Sequence, residues 1–174
     1  MREIMNFKYL GKANNIEKLK LISSQFTNEH WQKFKKRKDD VAGKVSDTIP
    51  LIFDWKNKSD YIVHENYDYF SNELKEIENL LIDNGYKGEI LRANLVRLPA
   101  GNVIPLHKDV GEFLNKTHRI HICIFSNENC TFTVGDETIA FKSGDVWEIN
   151  NTGKYHGVKN LGNTDRVNLI IDAL

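Results

Sequence analysis

Leu106-His107-Lys108-Asp109 sets an imidazole and a carboxylate two positions apart, and a second imidazole follows in Gly153-Lys-Tyr-His156-Gly157. Two neutral imidazoles and one carboxylate are the donor set of a non-heme iron(II) centre, which keeps positions open for other ligands. Arg166 lies across a Gly-Asn turn from His156. Its planar fork can grip a carboxylate with two parallel bonds, as a dicarboxylate co-substrate would need. These parts suit one chemistry: Fe(II) and O2 act with 2-oxoglutarate, which leaves as succinate and carbon dioxide while a substrate C–H bond is hydroxylated. The protein would orient the reactants and exclude futile reaction. His107, Asp109 and His156 are the expected metal ligands and catalytic centre, with Arg166 as the co-substrate anchor.

Each piece also has an ordinary reading. With 6 His and 24 acidic residues in 174 positions, about one His-x-(Asp/Glu) pair arises by chance. His107 and Asp109 could be a polar pair at a strand end, His156 an exposed hairpin histidine, and Arg166 a surface cation answering Asp165. The conjunction favours chemistry. Residues i and i+2 share a strand face, Gly153 and Gly157 flank His156 where backbones approach closely, and all four residues fall within one run of short strands.

Composition narrows the class. Lys plus Arg number 24 and Asp plus Glu number 24, so no broad basic surface for nucleic acid is expected. Two cysteines, Cys123 and Cys130, make no disulfide framework and fit no zinc spacing. Charges interrupt the apolar residues of the amino terminus, which does not read as a signal peptide. No run nears the roughly 18 apolar residues of a membrane span. The expectation is a cytoplasmic protein folding as one domain over 1–174, without a membrane or nucleic-acid partner and acting on a small molecule or a peptide.

The elements that must position these residues divide near residue 88. Residues 1–87 read as a helical support with one or two strands. Asn14 or Asn15 can cap a helix bearing Ile16, Leu19, Leu21 and Ile22. A second helix over 28–38 presents Trp31 and Phe34 within the basic run 33–38, read as a solvated face. A loop over 39–47 leads to a strand at 49–53 with Pro50 near its start. The best helix spans 67–84, where Phe70, Leu74, Ile77, Leu80 and Leu81 recur at helical spacing and Gly85 stops it.

From 88 onward, strands are expected at 89–97, 103–107, 118–126, 131–134, 138–141, 145–149, 156–159 and 166–172, separated by Gly, Asn and Asp. Such a series suggests a mostly β fold with some α, a double-stranded β-helix of the jelly-roll or cupin-like kind, its amino-terminal helices packed on one sheet. On the strand at 118–126, Ile120, Ile122 and Ile124 would face the helices. Arg119, His121, Cys123 and Phe125 would look into the barrel. Arg92 shares a face with Asn94, opposite Arg97, and with Arg119 could bind a substrate carboxylate. Trp147 is a further candidate to line the pocket.

These residues resemble the aspartyl/asparaginyl β-hydroxylase family, taken broadly to include small microbial proline hydroxylases. The matching pieces are Leu106-His107-Lys-Asp109, Arg119-Ile-His121, and the tail from Gly144-Asp-Val-Trp-Glu-Ile-Asn-Asn through His156-Gly-Val-Lys-Asn160 to Arg166-Val-Asn-Leu-Ile-Ile-Asp172. The resemblance covers about 88–174. It implies a double-stranded β-helix, iron(II), 2-oxoglutarate, and hydroxylation of an amino-acid side chain, free or within a peptide. Position by position, it implies His107, Asp109 and His156 as metal ligands and Arg166 as the anchor of the distal co-substrate carboxylate. Arg119 and His121 would contact co-substrate or substrate. Asp109 departs from the animal enzymes that give the family its name, which lack the acidic ligand, and so draws the chain towards bacterial free-amino-acid hydroxylases.

Two rival readings stand beside this one. Gly153-x-x-His156-x-x-x-Asn160 fits the second motif of a metal-binding cupin, for instance an isomerase that does not use 2-oxoglutarate. The proline expected before that glycine is absent, however, and the first motif would want His-x-His. The other rival is a catalytically silent module that senses 2-oxoglutarate or a metal.

Overall fold

The computed structural model describes residues 5–33, 41–54 and 61–174. In chain order it contains β1 (Phe7–Lys12), α1 (Ile16–Ser23), α2 (Asn28–Lys33), β2 (Asp47–Ile52), α3 (Tyr67–Asp83), β3 (Ile90–Leu98) and β4 (Val103–His107). There follow α4 (Glu112–Lys116), β5 (His118–Phe125), β6 (Cys130–Val134), β7 (Glu137–Ile139), β8 (Asp145–Ile149), β9 (His156–Asn160) and β10 (Arg166–Ala173). The strands form two antiparallel sheets, ordered β1-β8-β5-β10-β3-β2 and β4-β9-β6-β7. This is the expected jelly roll, with helices on the outer face of the larger sheet.

The larger sheet is covered on both faces, and its sequence shows why. Ile120, Ile122 and Ile124 of β5 and Leu169 and Ile171 of β10 pack with Leu19, Trp31, Phe70, Leu74, Ile77 and Leu81 from the helices. Those α3 residues recur at three and four positions, which gathers them into one stripe. The opposite face and the smaller sheet enclose a second cluster that includes Phe7, Leu98, Cys123, Phe132, Phe141 and Val158. Beyond α3, Gly85 adopts φ 86°, a conformation that costs glycine little. The Asn84 amide donates to Leu80 O and to Leu10 O, fastening the helix end to β1.

Alternation on β5 ends before Phe125. Val167 pairs with Phe125 but Asn168 pairs with Cys123, so an extra β5 residue bulges between them and reverses the side-chain direction. Phe125 therefore packs with the helix-side cluster and does not look into the barrel. Pro50 sits within β2, an edge strand, where its missing donor is tolerated. Asp47, expected in a loop, begins that strand. Arg97 takes the face opposite Arg92, as its spacing predicts, and donates to Asp47 and to Asn28 while lying 5.0 Å over the Trp31 ring. Phe34 and the basic run beyond Lys33 lie outside the described residues.

Two elements have no counterpart in the sequence reading. β1 buries Phe7 against one cluster and Leu10 against the other, so it lacks the alternation that marks a half-buried strand. α4 buries none of its residues and so shows no apolar stripe. Among the described residues no helix is long and apolar enough to cross a membrane. Ile122→Ala, at a fully buried position between β8 and β10, is expected to lower unfolding stability by about 2–5 kcal/mol in urea denaturation.

Candidate active site

Between the sheets lies a cavity of about 500 Å³, whose lining includes Arg92, Asn94, His107, Asp109, Arg119, His121, His156, Arg166 and Asp172. Its geometry depends on an irregularity in β4. Ile104 pairs with Val158 and His107 with His156, so three steps on β4 match two on β9. The extra residue turns His107 towards the same interior as Ile104 and directly opposite His156. Gly157 makes this possible. A Cβ there would stand 2.7 Å from Ile104 O and 3.2 Å from Leu106 N, so only glycine lets the β4 backbone come so close. The imidazole centroids are consequently 4.3 Å apart.

Asp109 lies past the end of β4, so its direction does not come from strand alternation. Its N–H donates to Asn151 O at 3.0 Å, and its Oδ2 accepts from Asn151 Nδ2 at 3.0 Å and from Arg119 Nη1. One potential ligand atom from each of His107, Asp109 and His156 falls within 4.8 Å of the others. His107 Nδ1 is 2.8 Å from Pro105 O. That carbonyl can only accept, so Nδ1 donates to it and Nε2 is the ring nitrogen left facing Asp109.

Burial sets the protonation states. It lowers the pKa of His156 from 6.5 to about 4, against the opposing pull of Asp109, so the ring is neutral near pH 7. Burial would raise the Asp109 pKa, but Arg119, His156, Asn151 and His107 outweigh it and hold the carboxyl below its ordinary value. Burial also pushes His121 well below the usual histidine range, aided by Arg166 and Arg119. A neutral His156 beside an ionised Asp109 can take a divalent cation without first shedding its own proton.

Arg166 is not the surface cation that Asp165 could have answered. It is 2% exposed, with its Cζ 5.5 Å from the Phe132 ring and 6.0 Å from Phe141. With the Asn168 amide oriented to satisfy both its neighbours, that oxygen accepts from Arg166 Nη2 at 2.9 Å. Asp165 instead accepts from Ala100 N and faces Arg97. Among the described residues no carboxylate pairs with Arg166. Burial lowers its pKa, yet a guanidinium stays charged in proteins.

The other candidates separate. His121 is buried with neither ring nitrogen hydrogen-bonded, 5.2 Å edge-on to Phe132. Arg92 lies 3.7 Å over the Phe113 ring, on the wall it shares with Asn94. Arg119 lines the cavity, but its Nε and Nη2 form a fork on Asp172 at 2.8 and 2.9 Å while Nη1 meets Asp109. Trp147 is not on the cavity wall. It packs against Phe7, Tyr9 and Phe141, because β1 pairs with β8 and sets Tyr9 directly across from it. The sequence reading gave no role to Asn151 or Asp172. Asp172 could have been found from its even spacing to Arg166 on one strand, whereas Asn151 reaches the site only through the tertiary fold.

With fold and site in place, comparison with known proteins gives the class. A family model described as aspartyl/asparaginyl beta-hydroxylase matches residues 12–174. The chain belongs to this family and is an enzyme of the hydroxylase kind. Its structure is similar to that of an oxidoreductase of the 2OG-Fe(II) oxygenase family from Burkholderia pseudomallei, with 13% identity and a TM-score of 0.69 over 96% of this chain and 83% of that one. It is also similar to the viral collagen prolyl hydroxylase of Paramecium Bursaria Chlorella virus-1, with 10% identity and a TM-score of 0.57 over 98% and 97% of the respective chains. At these identities the likeness carries the fold.

Two predictions follow from the geometry. Gly157→Ala forces β4 away from β9 and is expected to cost about 1–3 kcal/mol of stability. It should also weaken Co(II) or Mn(II) binding at least about tenfold in a calorimetric titration. The second concerns acid. Because the folded-state pKa of His156 lies near 4 against an ordinary 6.5, the unfolded chain takes up the proton first as pH falls. The stability given by the neutral ring is complete above about 6.5 and declines towards 4, by up to about 1.4 kcal/mol per unit. Urea midpoints of metal-free protein at pH 7.5 and 5 should diverge, and His156→Gln should narrow the gap.

Proposed function

We propose that this protein is an iron(II)- and 2-oxoglutarate-dependent dioxygenase that hydroxylates an amino-acid side chain, either of a free amino acid such as proline or of Asp, Asn or another residue in a peptide. The observation that carries the reading is Arg166: a buried guanidinium with no carboxylate partner among the described residues, on the wall of the cavity that also holds the His107, Asp109 and His156 cluster. An unpaired buried cation is costly, and a dicarboxylate entering the cavity would supply the missing charge.

The donor set fits iron(II), since two neutral imidazoles and one carboxylate suit that metal with positions left open. His107 Nε2, Asp109 and His156 would hold it. When bound, iron(II) with 2-oxoglutarate supplies the oxidising power, releasing succinate and carbon dioxide as an oxygen atom from O2 goes to the substrate. The chain does the rest. Arg166 grips the distal carboxylate of the co-substrate with its fork. His121, kept neutral by burial, offers one donor and one acceptor beside it. Arg92 and Asn94 face a substrate carboxylate from the adjoining wall, with Arg119 near them. Ile104, Phe132 and Val158 exclude water, which strengthens each polar contact in the cavity.

The spacing shared with cupins has another use here. Asn160 is fully buried, and its amide donates to Leu98 O, Pro99 O and Thr164 O, a clamp on two chain crossings that requires no metal. A cupin isomerase would also leave Arg166 without a partner.

Anaerobic addition of iron(II) and 2-oxoglutarate is expected to give a weak visible charge-transfer band. Succinate formation should vanish in Asp109→Ala and His156→Ala. In Arg166→Ala the 2-oxoglutarate requirement should rise roughly 30-fold or more, the equivalent of about 2 kcal/mol. Full turnover in Asp109→Ala would reject the ligand assignment. Mass spectrometry of a panel of amino acids, seeking a gain of one oxygen atom, identifies the substrate.

A further inference from the structure

We infer that Asp172 is a positioning residue for the metal ligand Asp109, acting through Arg119. The inference rests on the metal centre proposed above. Arg119 stands between two carboxylates on the cavity wall. Its Nε and Nη2 donate to Asp172 Oδ1 and Oδ2 at 2.8 and 2.9 Å, and Nη1 alone reaches Asp109 Oδ2. Asn151 Nδ2 donates to the same Oδ2 at 3.0 Å. Both side-chain donors thus converge on one oxygen of Asp109 and leave Oδ1 facing His107 Nε2, 3.8 Å away.

This division of the guanidinium matters for chemistry. A planar fork prefers to engage a carboxylate through two parallel bonds. Here that pair is made with Asp172, which fixes the plane and the reach of the guanidinium. Asp172 is 3% exposed, sits on β10 directly across from Arg119 in the strand register, and occupies the fork. Of the three N–H groups left over, those of Nη1 meet Asp109, at Oδ2, which fixes the ligand's orientation without covering its other oxygen. Asn151 completes the hold from a second element, and also binds the Asp109 main chain.

The assignment departs from a substrate-binding role for Arg119, since its Nε and Nη2 are engaged by Asp172 and its Nη1 by Asp109. It also makes a specific demand: removing an acid that does not touch the metal should weaken metal binding while Arg119 is present and have little further effect once Arg119 is gone, whereas simple loss of a nearby negative charge would weaken binding in both backgrounds.

The test is Mn(II) binding to the full-length protein, followed by calorimetry and by the spin-resonance signal of the bound ion, without turnover. Asp172→Asn is expected to lower affinity about tenfold, as Arg119 loses its anchor. Arg119→Gln should lower it to a similar extent, and adding Asp172→Asn to Arg119→Gln should lower it no further, because Asp172 acts through Arg119 alone. Asn151→Ala supplies a second probe, with a loss of about three- to tenfold, and thermal melts confirm that each variant is folded. Unchanged affinity in folded Asp172→Asn, or a further loss when that change is added to Arg119→Gln, overturns the positioning role while leaving the metal centre intact. Absence of divalent-metal binding by the wild-type protein overturns both.

Discussion

The close approach of β4 to β9 over Gly157 is the constraint on which the rest of the site depends. Strand pairing alone would send Ile104 and His107 to opposite faces, since they are an odd number of positions apart. The extra β4 residue cancels that parity, and the absent Cβ at Gly157 gives the displaced backbone room. Ile104 can then serve the apolar interior while His107 meets His156 across the ladder. A different residue at 157 would keep all the donors in the sequence and lose their convergence.

Around this centre the fold places charge where water is scarce. Arg166, Arg119 and Asp172 occupy the sheet facing the cavity, with Asp109 entering from a loop at its rim. The carboxylates share one guanidinium, and burial holds the imidazoles neutral. Arg166 stands apart from this network. Aromatic rings approach its face and an amide oxygen meets one edge, an environment that tolerates a cation without neutralising it. The cavity is therefore polarised along its length, with an excess of carboxylate at one place and, among the described residues, a guanidinium without a carboxylate partner at another.

Much of this was legible in the chain because it rests on local pattern. The boundaries of β4 and β8 were read to the residue, and the apolar face formed by Ile120, Ile122 and Ile124 was assigned correctly to the helices. The Arg92 and Arg97 split followed from spacing alone. What escaped depends on how distant segments meet. A bulge reverses Phe125, and β1, which buries only one residue on each face, has no period to detect. Trp147 is no more than a candidate for the pocket in the sequence, where nothing local shows that Phe7 and Tyr9 sit beside it. Asp109 reached the cluster as expected, but by a different route: Asn151 and Arg119 aim it, not the strand period. The supporting contact from Asp172 involves residues more than fifty positions apart, beyond any reading of neighbours.

The two outer strands of the larger sheet share a trait. β1 is irregular between Tyr9 and Gly11, and β2 between Pro50 and Ile52, where proline also lacks a donor. A foreign strand laid along β1 would find its register broken midway, and the far end of β2 is already taken, since Phe53 N donates to Ile62 O and His64 N to Leu51 O. Such margins are poor templates for runaway sheet growth. An apolar, strand-rich barrel thus carries its own guard against fibrous self-association at the places where that hazard is greatest.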